Sequence, residues 1–97
     1  MAGAGGKRAA GDLVFIAAAV IAIILVVHII FVLIGANGHN DIVRTASDWA
    51  GFWATWFKDL FTPKDPKLNV FLNYGLATVA YLALGGVLRR VLNDAFA

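Results

Sequence analysis

Two stretches of this chain are apolar without interruption by charge, and a third alternates with the period of a helix. Residues 13–34 form a run of 22 in which His28 is the only side chain that is not apolar. At about 1.5 Å per residue, the run reaches roughly 33 Å as a helix, enough to cross a hydrocarbon layer of about 30 Å. Lipid offers the backbone no hydrogen-bond partners, so the run is expected to be helical despite its β-branched residues. Lys7 and Arg8 precede it as they would precede the core of a signal peptide. Such cores are usually about 7–15 residues long, however, and no A-x-A cleavage site follows. The reading is an uncleaved span over residues 13–35.

The second stretch, residues 68–88, is less greasy and carries Asn69, Asn73, Tyr74, Thr78 and Tyr81 among Val, Leu, Phe and Ala. No charge falls between Lys67 and Arg89, a gap of 21 residues. A charge at the centre of a spanning helix costs several kcal/mol, so the gap marks a second span. Two spans place both termini on one side of the membrane. Lys7, Arg8, Arg89 and Arg90 flank the spans at the ends, against Arg44, Lys58, Lys64 and Lys67 in the connection, a tie at four each. The terminal charges lie closer to the membrane edge, which favours the cytoplasm for both ends.

Between the spans, residues 35–40 (GANGHN) have the chemistry of a helix stop and turn. Asn40 or Asp41 can cap a following helix by accepting its orphan N–H groups. That helix is expected over residues 41–62, closed by Pro63 and Pro66 in a stiff loop over residues 63–67. Ile42, Ala46, Trp49, Trp53, Trp56 and Leu60 recur at spacings of 4, 3, 4, 3 and 4. At 100° per residue they fall within a wedge of about 80°, with Arg44, Asp48, Gly51, Thr55, Lys58, Asp59 and Thr62 opposite and Phe52 off pattern. Tryptophan favours the membrane–water boundary, so this helix is read as lying in the interface with Trp49, Trp53 and Trp56 as anchors. The same face could instead pack over the ends of the chain's own spans or on a partner's helices.

Composition narrows the function. The chain is 97 residues long, 61% hydrophobic and 14% charged, with six Asp and no Glu. Its mean hydropathy is +0.80. A soluble domain this small needs a polar surface that these residues cannot supply. Zero Cys excludes disulfides, thiolate metal sites and Cys nucleophiles. A net charge of +2, scattered along the chain, gives no nucleic-acid surface. The catalytic and nucleotide-binding patterns HExxH, GxSxG, Walker A and GxGxxG are all absent, so no catalytic residue, metal or cofactor is assigned.

The polar candidates inside the spans are few. His28 is the one ionisable group in the first span, and antiparallel pairing puts it at the depth of Tyr74 and Thr78. The expected role is a neutral imidazole hydrogen-bonded to one of them, with a ligand or proton role as the alternative. The surrounding stretch LVVHIIFVL is superficially similar to the His-bearing span of bacterial antenna polypeptides. Ile24 stands where those carry Ala, so no tetrapyrrole is inferred. His39, in a Gly/Asn turn, reads as a solvated loop residue. Ala18 and Ala22 form a small-residue pair, and Gly75, Thr78, Leu82 and Gly85, with Gly86 beside them, form a stripe suited to close helix contact. Asn73, Ala77, Ala80 and Leu84 offer a different face, taken here for contact with other helices. Arg89 and Arg90 are read as anchors bonding helical carbonyls or lipid phosphates.

The expected fold is thus an all-α membrane protein. It is a two-span transmembrane helical hairpin with an amphipathic Trp-rich interfacial helix, flanked by a flexible tail (residues 1–12) and a short one (residues 89–97). The expected role is that of a non-catalytic integral subunit of a bacterial plasma membrane, packing against lipid and other membrane helices as an accessory or assembly partner. A homo-oligomeric pore, channel-like or holin-like, is the alternative.

Overall fold

A computed structural model describes residues 2–95. Three helices, α1 (Ala2–Leu33), α2 (Asp41–Trp53) and α3 (Pro66–Ala95), make up the described chain, and no strand occurs among the described residues. Two of them, α1 and α3, are long and apolar enough to cross a membrane. The molecule measures 50 × 27 × 17 Å. The 32 residues of α1 alone account for the long dimension, at about 48 Å.

Helices α1 and α3 pack antiparallel along their length. At one end Lys67 Nζ donates to the Leu33 carbonyl at 3.4 Å, and at the other Arg89 pairs with Asp12 at 3.0 Å. The seam of α1 is Gly11, Ala18, Ala22, Leu25 and Ile29, buried at spacings of 7, 4, 3 and 4. Opposite them α3 buries Asn73, Ala77, Thr78 and Gly85. Small residues allow the two backbones to approach. A methyl group built on Gly85 would collide with the Ala18 side chain, and one on Gly11 would lie 2.9 Å from the Arg89 carbonyl oxygen. Of the expected stripe, Thr78 and Gly85 enter this seam, whereas Leu82 is exposed and nothing approaches Gly75 or Gly86. The Asn73 and Ala77 face, taken for external contact, is inside the chain's own core.

The turn after α1 follows its sequence chemistry closely. Gly35 adopts φ +69°, and the chain closes with Ala36 N–H donating to the Phe31 carbonyl (2.8 Å) and Gly35 N–H to Val32 (3.1 Å). This is the double hydrogen-bonded helix stop that a glycine after the last turn permits. Asn40 then caps α2, its Oδ1 accepting from Ile42 N–H at 2.9 Å and Val43 N–H at 3.3 Å.

Several boundaries differ from expectation. The segment read as a flexible tail is helical from Ala2 onward, and Gly11 and Asp12 are fastened to α3. An established helix extends at the gain of one hydrogen bond per residue, and alanine is the residue most suited to it. Met1 of that tail and residues 96–97 of the other lie outside the described residues, while α3 itself runs on to Ala95. Pro66 begins α3 instead of belonging to a separate loop. Asp65 is its cap, its Oδ1 accepting from Lys67 N–H at 2.9 Å, and proline fits the first helical position because that position has no N–H partner to lose.

The close crossing of α1 and α3 gives a direct test. Gly85→Val is expected to destabilise the folded chain by about 1–3 kcal/mol through overpacking against Ala18. Gly75→Ala, in open space, should change stability by less than about 0.5 kcal/mol. Unfolding of both variants in detergent micelles, followed by circular dichroism, checks the contrast.

Candidate functional site

The chain's most distinctive region is α2 and the segment that returns from it. Val43 and Ser47 line a cleft with His28, Phe31 and Val32, while Ala46 and Trp49 sit beside Ile23, Ile24 and Val27. Ala50 and Ala54 are fully buried against Leu25 and Ala77. Later residues of α2 thus meet earlier residues of α1, and the helix folds back along it. Leu25 lies eight residues before Leu33, about 12 Å down the helix. Helix α2 therefore runs down beside α1 and does not pack over the end of the hairpin.

Its inward face is made by small residues: Ala50 and Ala54 meet Leu25 of α1 and Ala77 of α3, and Ala46 sits beside Ile23 and Ile24, so that α2 settles closely against α1. The tryptophan face is turned roughly one residue, about 100°, to the side. Trp49 and Trp56 are exposed, Trp56 to 88%, and Ile42 (72%), Phe52 (69%) and Leu60 stand out with them. Trp53 alone is tied in, edge-on to the Tyr81 ring at 6.0 Å and to Phe52 at 5.1 Å.

The end of α2 is set by two side chains. Tyr81 Oη donates to the Trp53 carbonyl at 2.6 Å, and Thr55 Oγ1 lies 2.6 Å from the Phe52 carbonyl and 3.1 Å from that of Gly51. The carbonyls that would carry the helix onward are thereby occupied, and Phe57 N–H turns back to Ala54 at 2.8 Å. The helix expected to reach residue 62 stops at Trp53 for this reason. Further on, Asn73 is wholly buried and holds both backbone groups of Phe61. Its Oδ1 accepts from Phe61 N–H at 2.8 Å, and its Nδ2 donates to the Phe61 carbonyl at 2.7 Å and to Asn69 Oδ1 at 3.1 Å.

The other flank of α2 is polar. Ser47, Asp48, Thr55, Lys58 and Tyr74 surround an open cleft of about 380 Å³. Lys58 Nζ lies over the bare backbone of Gly51, 3.2 Å from where a Cβ would stand. His28 and Tyr74 face each other across the α1–α3 seam with ring centroids 4.8 Å apart, tilted by 45°. The expected hydrogen bond between them is not made. Thr78 Oγ1 donates to its own helix at the Tyr74 carbonyl, 2.8 Å away, and His28 Nδ1 is buried without a partner. Arg89 is engaged within the chain, paired with Asp12 and lying 5.4 Å over the Phe15 ring, while Arg90 is exposed. Among the described residues no three His, Asp or Glu side chains gather in a metal-binding group.

No family model, characterised protein or solved structure matches this chain. The site is therefore argued from its own residues. Asn73→Leu should leave the Phe61 N–H without its partner and the Phe61 carbonyl with only the Asn69 Nδ2 contact at 3.4 Å, at a cost of about 1 kcal/mol for this part-exposed donor. Faster amide exchange at Phe61, with exchange in the α1–α3 seam near Ala18 and Gly85 unchanged, is the expected signature by NMR.

Proposed function

We propose that the chain is a non-catalytic integral membrane subunit, spanning with α1 and α3 and using α2 to dock against neighbouring membrane helices. The apolar surface supports insertion: only 28% of the apolar stretch of α1 and 22% of that of α3 is buried within the chain. A core helix of a soluble protein would be mostly covered. Both helix ends next to the chain termini then share one face of the membrane, with the turn at residues 34–40 on the other.

The observation that carries the docking role is the irregular backbone of residues 54–62. It follows a helix that stops beside Leu25, near the middle of the apolar run 13–34, and most of it is exposed. Lipid-exposed irregular backbone does not persist in hydrocarbon, because its unpaired polar groups each cost several kcal/mol. Tyr81 and Asn73 satisfy part of this segment, and a neighbouring helix over the Trp49, Phe52 and Trp56 flank would shield the rest. Tryptophans in such a position dominate association energies.

A second reading, a homo-oligomeric pore, is favoured by the polar flank of Ser47, Asp48, Thr55 and Lys58. It requires further copies, since the chain's own seam closes tightly at Ala18 and Gly85. Conductance across planar bilayers that Asp48→Asn abolishes would select it.

Native mass measurement of the tagged chain in lipid nanodiscs tests the docking role. Expected are further copies or a second polypeptide bound to it. Trp56→Ala should keep the fold, because the ring touches little of its own chain, and weaken the association by about 2 kcal/mol, roughly thirtyfold. A lone monomer surrounded by lipid only would overturn the reading.

A further inference from the structure

We infer that the polar flank of α2 bounds a water-filled vestibule, open at the turn end of the molecule and closed below by the Leu25–Ala77 core. The inference rests on the reading that α1 and α3 cross a membrane, and it concerns the flank opposite the tryptophans.

Depth carries the argument. Tyr74 lines the vestibule and stacks on His28, which lies six residues, about 9 Å, inside the end of the apolar run at Ile34. Asp48 and Lys58 share that cleft with Tyr74, and Asp48 is exposed. Among the described residues no ion pair joins them: the pairs formed are Asp41–Arg44 and Asp12–Arg89. Lysine has a stem long enough to carry its charge toward the surface, whereas aspartate has none. A carboxylate held on a helix flank at this depth, with no cation against it, is tolerated in a bilayer only where it faces water or a polar partner.

The shape of the region gives water a way in. A cleft of about 220 Å³ opens beside the turn at Gly38, with Arg44, Ser47 and His28 set among Phe31, Val32 and Val43. Ser47 also lines the 380 Å³ cleft that holds Asp48, Thr55 and Lys58. One side chain thus belongs to both, and the two clefts adjoin at Ser47 between the turn and Thr55. Each cleft holds several waters, a liquid water taking roughly 30 Å³. The species admitted are water and small hydrophilic solutes. The clefts end where Ala50 and Ala54 seal against Leu25 and Ala77, each of them fully buried.

The chain has no cysteine, so single thiols can be introduced into the full-length protein without background. Ser47→Cys and Thr55→Cys probe the vestibule, and Gly38→Cys marks the solvent-exposed turn. Val79→Cys marks the outward face of α3, close in sequence to Tyr81, where Trp53 is held. Each variant in lipid vesicles is treated on both faces with a membrane-impermeant cationic methanethiosulfonate, and retained protection of the Phe61 amide confirms the fold. Ser47→Cys and Thr55→Cys are expected to react within about tenfold of Gly38→Cys, and Val79→Cys at least a hundredfold more slowly. If both vestibule thiols are as slow as Val79→Cys, the vestibule is refuted and the spans stand. Reaction at Ser47→Cys alone overturns the claim that water passes Asp48. If Val79→Cys reacts as fast as Gly38→Cys, the membrane crossing itself fails, and the vestibule with it.

Discussion

Every peptide group removed from water needs a hydrogen-bond partner, and this chain meets that demand at the one place where it leaves regular helix in mid-structure. Helices α1 and α3 satisfy their own backbones along their interiors. Helix α2 stops after 13 residues, and the twelve residues that follow return to the start of α3 without a regular ladder. Two side chains of α3 take over: Tyr81 holds the Trp53 carbonyl, and Asn73 holds both backbone groups of Phe61. The polar residues of α3, which weaken it as a purely apolar span, are thus the ones that fasten the return segment.

Close approach is the second requirement. Asn73 and Tyr81 can reach the return segment only because α2 lies deep against the α1–α3 pair. That depth depends on Ala50, Gly51 and Ala54, just as the α1–α3 seam depends on Gly11, Ala18 and Gly85. Small residues form the contacts, and the large ones are displaced outward. The molecule therefore presents most of its aromatic and branched surface to its surroundings. Its α2 hairpin has one apolar flank and one polar flank at the same level of the structure. The proposed docking role uses the first flank and the proposed vestibule uses the second.

Much of the architecture could be read along the chain. Two helices long enough to cross a bilayer follow from charge-free apolar runs, the stop at Gly35 from the Gly/Asn turn, and the start of α2 from Asn40. These features are local: each depends on residues within one or two turns of one another. The facing of His28 and Tyr74 followed from antiparallel pairing of equal lengths, although the two rings stack instead of sharing a hydrogen bond. Three features were not legible. Which residues of α2 turn inward was one: Ala50 and Ala54 make the buried contact, while Trp49 and Trp56 stay outside it. The end of α2 at Trp53 is imposed partly by Tyr81, 28 residues away. Arg89 looked like a lipid anchor because its partner Asp12 lies far off in sequence.

The sequence by itself determined that the chain is helical, where α2 and α3 begin to within a few residues, and that two segments are long and apolar enough to cross a membrane. Periodicity, capping chemistry and charge spacing act over a few residues and need no knowledge of the rest of the chain. Tertiary structure alone decided that α2 folds back along α1, that Trp53 is held against Tyr81 while Trp49 and Trp56 stay exposed, and that Asn73 secures Phe61. Those outcomes depend on which side chains fit the groove between two helices and on hydrogen bonds across it, and both exist only once the helices have met.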